Sequence, residues 1–127
     1  MPFLIFVFAF IMPLVLWPIE IFFPYPHIIE ELAKALLIFF LLKYNSTSQK
    51  ICGAILIGFL FGLSENFLYL LNATTIQIQI LRFILTMPLH TITSLVILLP
   101  TMIDKRLIFL GIILASLIHH FFNTSIA

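Results

Sequence analysis

The sequence predicts an all-α membrane protein, a bundle of about five transmembrane helices. Of its 127 residues, 63% are hydrophobic and only 9% are charged, whereas a soluble domain carries roughly 25% charged residues. Five apolar stretches of about 16 to 23 residues occupy most of the chain, and about 20 such residues cross the ~30 Å hydrocarbon layer of a bilayer. We therefore expect residues 1–127 to form a single domain integral to a lipid bilayer.

The predicted spans follow one another through short loops. The first is apolar over more residues than the roughly 7 to 15 of a signal-peptide core, so we expect it to be retained. The second begins beside Pro26, which suits the first turn of a helix, and ends at Lys43. Polar residues 43–50 and a turn at 104–106 form loops before the third and fifth spans. The five predicted spans are residues 3–23, 27–43, 51–71, 80–102 and 107–125.

The orientation follows from the basic residues of the short loops. Lys43 and Lys50 lie between the second and third spans, and Lys105 and Arg106 lie between the fourth and fifth. The other two loops contain no Lys or Arg. Because cytoplasmic loops carry the excess of Lys and Arg, we expect the N-terminus inside and the C-terminus outside.

Composition and missing motifs exclude several functions. A net charge of +1 without a basic run gives no electrostatic surface for nucleic acid. The single cysteine, Cys52, cannot form an internal disulfide. A protease with two catalytic aspartates is excluded because Asp104 is the only aspartate. The His-Glu-x-x-His zinc motif and the Gly-x-Ser-x-Gly nucleophile motif are also absent from the sequence.

Polar and ionisable residues within the predicted spans are the candidates for function. Each ionisable side chain costs about 2.5 to 3.5 kcal/mol at the centre of a membrane. With the predicted topology all of them fall in the outer half, and spacings of three and four residues place them on common helix faces. We interpret Glu20 as a residue of the membrane interface without a catalytic role. The set comprises Glu20, Glu30, Glu31, Lys34, Glu65, Asn66, Arg82, His90, His119, His120 and Asn123.

The charges of this layer do not balance. Four glutamates face only Lys34 and Arg82, which leaves a formal excess of two negative charges when the histidines are neutral. Protonated histidines, protonated carboxyls or a bound divalent cation would each compensate. For Glu30, Glu31 and Arg82, a position near the interface explains the charge equally well, since long side chains reach the headgroups.

A set of carboxylates, histidines and an asparagine suits hydrolysis by general-base activation of water better than a covalent nucleophile. A buried glutamate can act as base, and His or Asn donors can stabilise the oxyanion of a tetrahedral intermediate.

Four motifs in order then carry a resemblance: Glu30-Glu31-x-x-Lys34, Phe61-x-x-x-Glu65-Asn66, Arg82 with His90, and His119-x-x-x-Asn123. Across about residues 30 to 123 they resemble the motifs of the PrsW family of intramembrane proteases, which is related to the CAAX prenyl endopeptidases and bacteriocin-processing enzymes. Glu65 stands where the CAAX group has His, which favours the PrsW side. The chain is shorter than the usual member, so the family's substrates are not carried over to it.

The resemblance implies a role for each motif residue. Glu30, with Glu31, would be the base that activates water, and His119 and Asn123 would be the oxyanion donors. Glu65 and His90 would orient water or bind a metal, and Lys34 and Arg82 would hold the carboxylates. The family cleaves membrane-anchored proteins on the extracytoplasmic side, which implies a prokaryotic cell membrane and a site in its outer half.

The catalytic type and two rival functions stay open at this point. Glu65, His90 and His119 would form a zinc site with an open water position, whereas a glutamate protease would need no metal. Intramembrane Glu, His and Arg also mark the ion pathways of proton- or cation-coupled carriers, although such a pathway should place polar groups in the inner half too. The third candidate is a non-catalytic helper that binds other membrane proteins.

Overall fold

The computed structural model describes residues 3–72 and 75–126, and of residue 126 the backbone alone. The described residues form five α-helices and no strand, which confirms the predicted all-α fold class. A single 3₁₀ turn, Lys105–Leu107, precedes the last helix. The helices are α1 (Phe3–Glu20), α2 (Pro26–Leu41), α3 (Thr47–Leu71), α4 (Ile76–Ile103) and α5 (Ile108–Ile126).

Local sequence explains where the helices begin. Pro26 occupies the first turn of α2, where its missing N–H costs no hydrogen bond. The Ser46 side chain caps α3 by accepting a hydrogen bond from the Gln49 backbone N at 3.4 Å. This cap starts α3 at Thr47, four residues before the predicted span. At the other end of the bundle, α4 begins at Ile76, so residues 76–79 of the predicted loop are helical.

Among the described residues, four helical segments are long and apolar enough to cross a membrane: α1, α3, α4 and Lys105–Ser125. Helix α2 differs from them, because its 16 residues extend only about 24 Å at 1.5 Å per residue. It also carries Glu30, Glu31 and Lys34. The inside and outside orientation of the bundle stays a prediction.

Helix α2 lies at the centre of the bundle. It contacts each of the other four helices, whereas α1 contacts neither α4 nor α5 within the described ranges. Nine of its 16 residues are buried, including all three of its charged residues. Neighbouring helices therefore shield the charges of the shortest helix from lipid, while large apolar side chains cover the outside of the bundle.

Glycines bring α3 and α5 close to two different faces of α4. A Cβ placed on Gly58 of α3 would lie 2.6 Å from the Thr91 Cα, and one on Gly111 of α5 would lie 2.8 Å from the Ile97 Cα. Such close backbone approach is how membrane helices associate through small residues. Helix α4, which carries His90, is thus held between its two neighbours.

Candidate functional site

The side chain of Lys34 joins α2 to α4. Its ammonium nitrogen lies 2.8 Å from Glu31 Oε1 and donates to Thr93 Oγ1 and to His90 Nδ1, the latter at 3.1 Å. Lys34 and Glu31 are both completely buried. An ammonium has three donors, so these three partners satisfy it. The ion pair and these hydrogen bonds offset the cost of removing the Lys34 charge from water.

The bond from Lys34 fixes the tautomer of His90. An ammonium can only donate, so His90 Nδ1 accepts and the ring proton lies on Nε2. That N–H donates to Glu65 Oε2. The other oxygen of Glu65 accepts a hydrogen bond from the Tyr69 hydroxyl at 2.8 Å. Both oxygens of the Glu65 carboxylate are therefore engaged.

His119 of α5 bridges the two adjacent glutamates of α2. Its Nδ1 lies 2.8 Å from Glu31 Oε1, and since a carboxylate only accepts, Nδ1 carries the proton. Its Nε2 is then left with a lone pair, 3.5 Å from Glu30 Oε2. The Glu31 carboxylate orients this imidazole in the way that a buried aspartate orients the histidine of a catalytic triad.

Glu30 and Glu31 differ although they are neighbours in sequence. Glu31 is completely buried, and its Oε1 binds both Lys34 and His119. Glu30 is 8% exposed and lines a cavity beside α1, and one oxygen of each glutamate, Oε2, has no hydrogen-bond partner among the described residues. Adjacent helical residues point about 100° apart, so the two carboxylates face different sides of α2. Glu31 faces Lys34, and Glu30 lines the cavity beside α1.

Two cavities flank the cluster. The cavity between α3, α4 and α5, here called the α4 cavity, has a volume of about 170 Å³ and is lined by Arg82, Thr86 and His119 among others. The second, the α1 cavity, has a volume of about 270 Å³ and is lined by residues of α1 together with Glu30. Glu65, Tyr69 and Asn123 line both cavities. The cluster is thus accessible from two sides.

The structure brings most of the predicted residues together. One connected cluster contains Glu30, Glu31, Lys34, Glu65, His90 and His119. Asn123 lies beside it, on both cavities. Asn66 faces a different pocket, with Leu70 and Phe83, and its Nδ2 has no partner in the described part of the chain. Arg82 stacks on the Tyr69 ring, 4.3 Å from the centroid, and makes no ion pair with any described carboxylate.

Sequence reasoning missed several residues of this region, including His27, whose ring centroid lies 5.8 Å from that of His119. Tyr69 binds Glu65, and its position four residues further along α3 was a usable signal. Thr93, three residues after His90, accepts from Lys34. Glu20, interpreted from the sequence as a plain interface residue, lines the α1 cavity together with Glu30.

The cluster also contains donors for a metal ion. Glu30, His90 and His119 each offer one ligand atom, and these atoms lie within 4.8 Å of one another. Two histidines and one glutamate form a known ligand set for catalytic zinc. The unpartnered Glu30 Oε2 and the lone pair on His119 Nε2 fit that function, whereas His90 would have to exchange one of its two hydrogen bonds. The zinc site suggested from the sequence was Glu65, His90 and His119; in this triad Glu30 stands in place of Glu65, both of whose oxygens are bonded to other side chains.

Comparison with known proteins agrees with this geometry. The family model described as PrsW family intramembrane metalloprotease matches residues 19–127 and so covers every residue of the cluster. The comparisons with curated proteins and with solved structures gave no match. With the match extending over most of its length, this chain belongs to the PrsW family of intramembrane proteases.

Proposed function

We propose that this intramembrane protease hydrolyses peptide bonds of membrane-anchored proteins with water activated by Glu30. One observation carries the choice of base: Glu30 lines the α1 cavity, whereas Glu31 is held by Lys34 and His119 and Glu65 by His90 and Tyr69. A general base needs a carboxylate that can reach a water molecule. Glu30 meets that requirement best within the described residues.

Proton transfer from the water can then follow the contacts of the cluster. Glu30 takes a proton as the water oxygen attacks the carbonyl carbon of the substrate. His119 Nε2, at 3.5 Å from Glu30 Oε2, can receive that proton and give it to the amine that leaves when the C–N bond breaks. Glu31 stabilises the resulting imidazolium through the Nδ1–H bond of 2.8 Å.

The negative charge that develops on the substrate oxygen needs a donor. Asn123 lies one turn after His119 on α5 and lines both cavities, so its amide N–H is in reach of a bound peptide. A single oxyanion donor of this kind contributes about 10²- to 10³-fold to the rate. The hydrogen bond between His90 and Glu65 joins α4 to α3 and keeps the geometry of the site fixed.

The family description names a metalloprotease. Glu30, His90 and His119 would hold the ion, and zinc in such a site would polarise the peptide carbonyl and make a bound water more acidic. A bound divalent cation would also compensate the excess negative charge of the glutamates in this layer. Cleavage measured with a chelator, and again after zinc is restored, separates the two catalytic types, and elemental analysis of the purified protein gives an independent count of bound metal.

The site lies toward the end of the bundle where α3 ends and α4 begins. By the predicted topology this end faces the outside, so we expect cleavage in the outer half of the bilayer. The opposite end of the bundle has an apolar core that includes Ile38, Leu41 and Ile57. This arrangement supports a site for hydrolysis over a continuous ion pathway, which would need polar groups through both halves.

The test is cleavage of a panel of single-span membrane peptides by the purified protein, read by mass spectrometry. We expect Glu30→Gln to lower the rate by about 10²- to 10⁴-fold, the usual contribution of a general base, without a change in thermal stability. Asp104→Asn, in the turn at the far end of the bundle, is the matched control and should cleave like the parent protein. A Glu30→Gln variant with parental activity would show that Glu30 is not the base. Ion flux measured in liposomes tests the carrier function directly.

A further inference from the structure

Arg82 lies at the catalytic site without an anionic partner. It is half-buried and lines the α4 cavity together with Glu65, His119 and Asn123. Its guanidinium carbon lies 4.3 Å from the centroid of the Tyr69 ring. No described carboxylate comes within 4.0 Å of it. The cluster beside it is formally rich in glutamates, yet this arginine holds none of them.

The neighbours of Arg82 explain why it is not bonded to Glu65. The Tyr69 ring lies beneath the guanidinium, and its hydroxyl is bonded to Glu65 Oε1 at 2.8 Å. His90 holds the other oxygen of the same carboxylate. Glu65 therefore has its acceptors engaged, and Tyr69 separates the two charges.

Stacking leaves the hydrogen-bonding capacity of an arginine intact. The flat face of the guanidinium contacts the ring, while its five N–H donors lie in the plane and around the edge. These donors suit a carboxylate, which can accept two parallel bonds from them. A permanently charged group at a membrane cavity without a counter-ion is costly, so a ligand that supplies the missing anion would bind with a large gain.

We propose that Arg82 binds an acidic residue of the substrate and so selects where the peptide is cut. The proposal rests on the protease function above and names a class of substrate for it. Arg82 lines the same cavity as His119 and Asn123, and an extended peptide advances about 3.3 Å per residue. The selected carboxylate therefore lies within a few residues of the scissile bond, on the side nearest the loop between α3 and α4.

The experiment compares matched peptides that differ only by Asp or Asn at single positions, from one to four residues on either side of the cut. The assay uses a zwitterionic detergent without anionic lipid. We expect the parent protein to prefer the Asp peptide by about 10- to 100-fold in kcat/KM at one position, the range expected for hydrogen bonds to a charged group, chiefly through KM.

Substitutions of Arg82 test the contact itself. Arg82→Gln should bring the ratio of the Asp and Asn rates to about one, and Arg82→Lys should keep part of it, since Lys retains the charge but not the paired donors. Arg82→Glu should reverse the preference toward a peptide with Lys at the same position. Lys105→Gln, which removes a cation at the far end of the bundle, is the control and should leave the ratio unchanged.

Three outcomes would overturn the proposal. The first is a ratio of one at every position for the parent protein. The second is a fall in the rates of both peptides with Arg82→Gln while their ratio persists, which would assign Arg82 a structural role. The third is a rise in both rates on adding phosphatidylglycerol, again with no Asp preference, which would identify a lipid phosphate as the anion.

A binding measurement keeps this test separate from the test of the protease mechanism. Binding of the Asp and Asn peptides to the Glu30→Gln variant requires no cleavage. Tighter binding of the Asp peptide that Arg82→Gln removes would support the proposal even where Glu30 proves not to be the base. Equal binding of the two peptides to the Glu30→Gln variant would contradict it.

Discussion

The two halves of this bundle are equally well buried but are held together by different contacts. In the half with the site, Glu31, Lys34 and His90 are completely buried and joined by an ion pair and hydrogen bonds. In the other half, Ile57 and Leu98 are just as buried and belong to the apolar core. The helices α2, α3 and α4 run through both halves. The burial of side chains alone therefore does not distinguish the half with the candidate site from the other half.

The difference has a physical cause that matters for substitutions. In a bilayer the lipid tails are as apolar as leucine, so an apolar core gains its stability from close packing. A polar core depends instead on the completeness of its hydrogen bonds, because an unpaired buried charge is far more costly than a small gap. We expect substitutions in the two halves to differ in size and in whether they affect catalysis.

The largest effect on stability is expected for Lys34→Met. The substitution leaves the buried Glu31 without its cation and removes the donors to His90 and Thr93. Breaking a buried ion pair by removing one partner costs about 3 to 5 kcal/mol, so the midpoint of thermal unfolding in detergent should fall strongly and cleavage should be lost with it.

Lys43→Met is the matched control, since Lys43 is exposed and stacks over Phe40 at the apolar end. Its unfolding midpoint should stay close to that of the parent. The double variant Lys34→Met, Glu31→Gln should recover part of the lost stability because no unpaired charge remains. Equal midpoints for Lys34→Met and Lys43→Met would contradict the importance of the buried pair.

A smaller loss of stability is expected for Gly58→Ala in α3. A Cβ on Gly58 would meet backbone atoms of His90 and Thr91, which cannot rotate away, so α4 must shift. Overpacking of this kind costs about 1 to 3 kcal/mol, and moving His90 should also lower the cleavage rate.

Gly53→Ala, in the apolar half, makes the same change at a tolerant position. Its Cβ would meet Leu41 Cδ2 at 2.9 Å, and that side chain can adopt another rotamer. Alanine also favours a helix over glycine by about 1 kcal/mol, so the stability should be unchanged or slightly higher. A loss of stability as large as that of Gly58→Ala would show that close packing is equally strict in both halves.

The sequence predicted the fold class and most members of the site for different reasons. Composition and apolar length determine that the helices form, and Pro26 marks the start of α2. Helical spacing placed Glu30 and Lys34 on one face of α2. Pairings between helices could not be predicted in this way, since Lys34 and His90 are 56 residues apart and no local spacing relates them.

The same limit explains the finer differences at the site. Glu30 and Glu31 are identical residue types in adjacent positions, and only the packing of α5 decides which one His119 orients through Nδ1. The resemblance to the family implied that Arg82 holds a carboxylate, whereas in the structure its guanidinium lies against the Tyr69 ring. Tyr69 itself was detectable from its spacing to Glu65, but an aromatic residue in an apolar helix carries little signal of a polar role.

The change of fewest atoms is made at the closest matched pair, two buried threonines of α4 that are eight residues apart. Thr93 is completely buried and Thr101 is 2% exposed, and replacement by Val preserves the shape of either side chain. The Thr101 hydroxyl donates only to the carbonyl of Ile97 in its own helix, at 2.6 Å. That carbonyl keeps its helical N–H partner after the substitution, so Thr101→Val should change the stability by less than about 0.5 kcal/mol.

Thr93 has a second role, because its oxygen accepts from the Lys34 ammonium as well as donating to the His90 carbonyl. Thr93→Val leaves one donor of a buried ammonium without an acceptor, which costs about 1 to 3 kcal/mol. Lys34 also holds the Nδ1 of His90, so the cleavage rate should fall along with the unfolding midpoint. Equal unfolding midpoints for Thr93→Val and Thr101→Val would mean that each threonine stabilises the protein only through its own helix. The contrast between a hydrogen-bonded half and a packed half would then not extend to single hydroxyl groups.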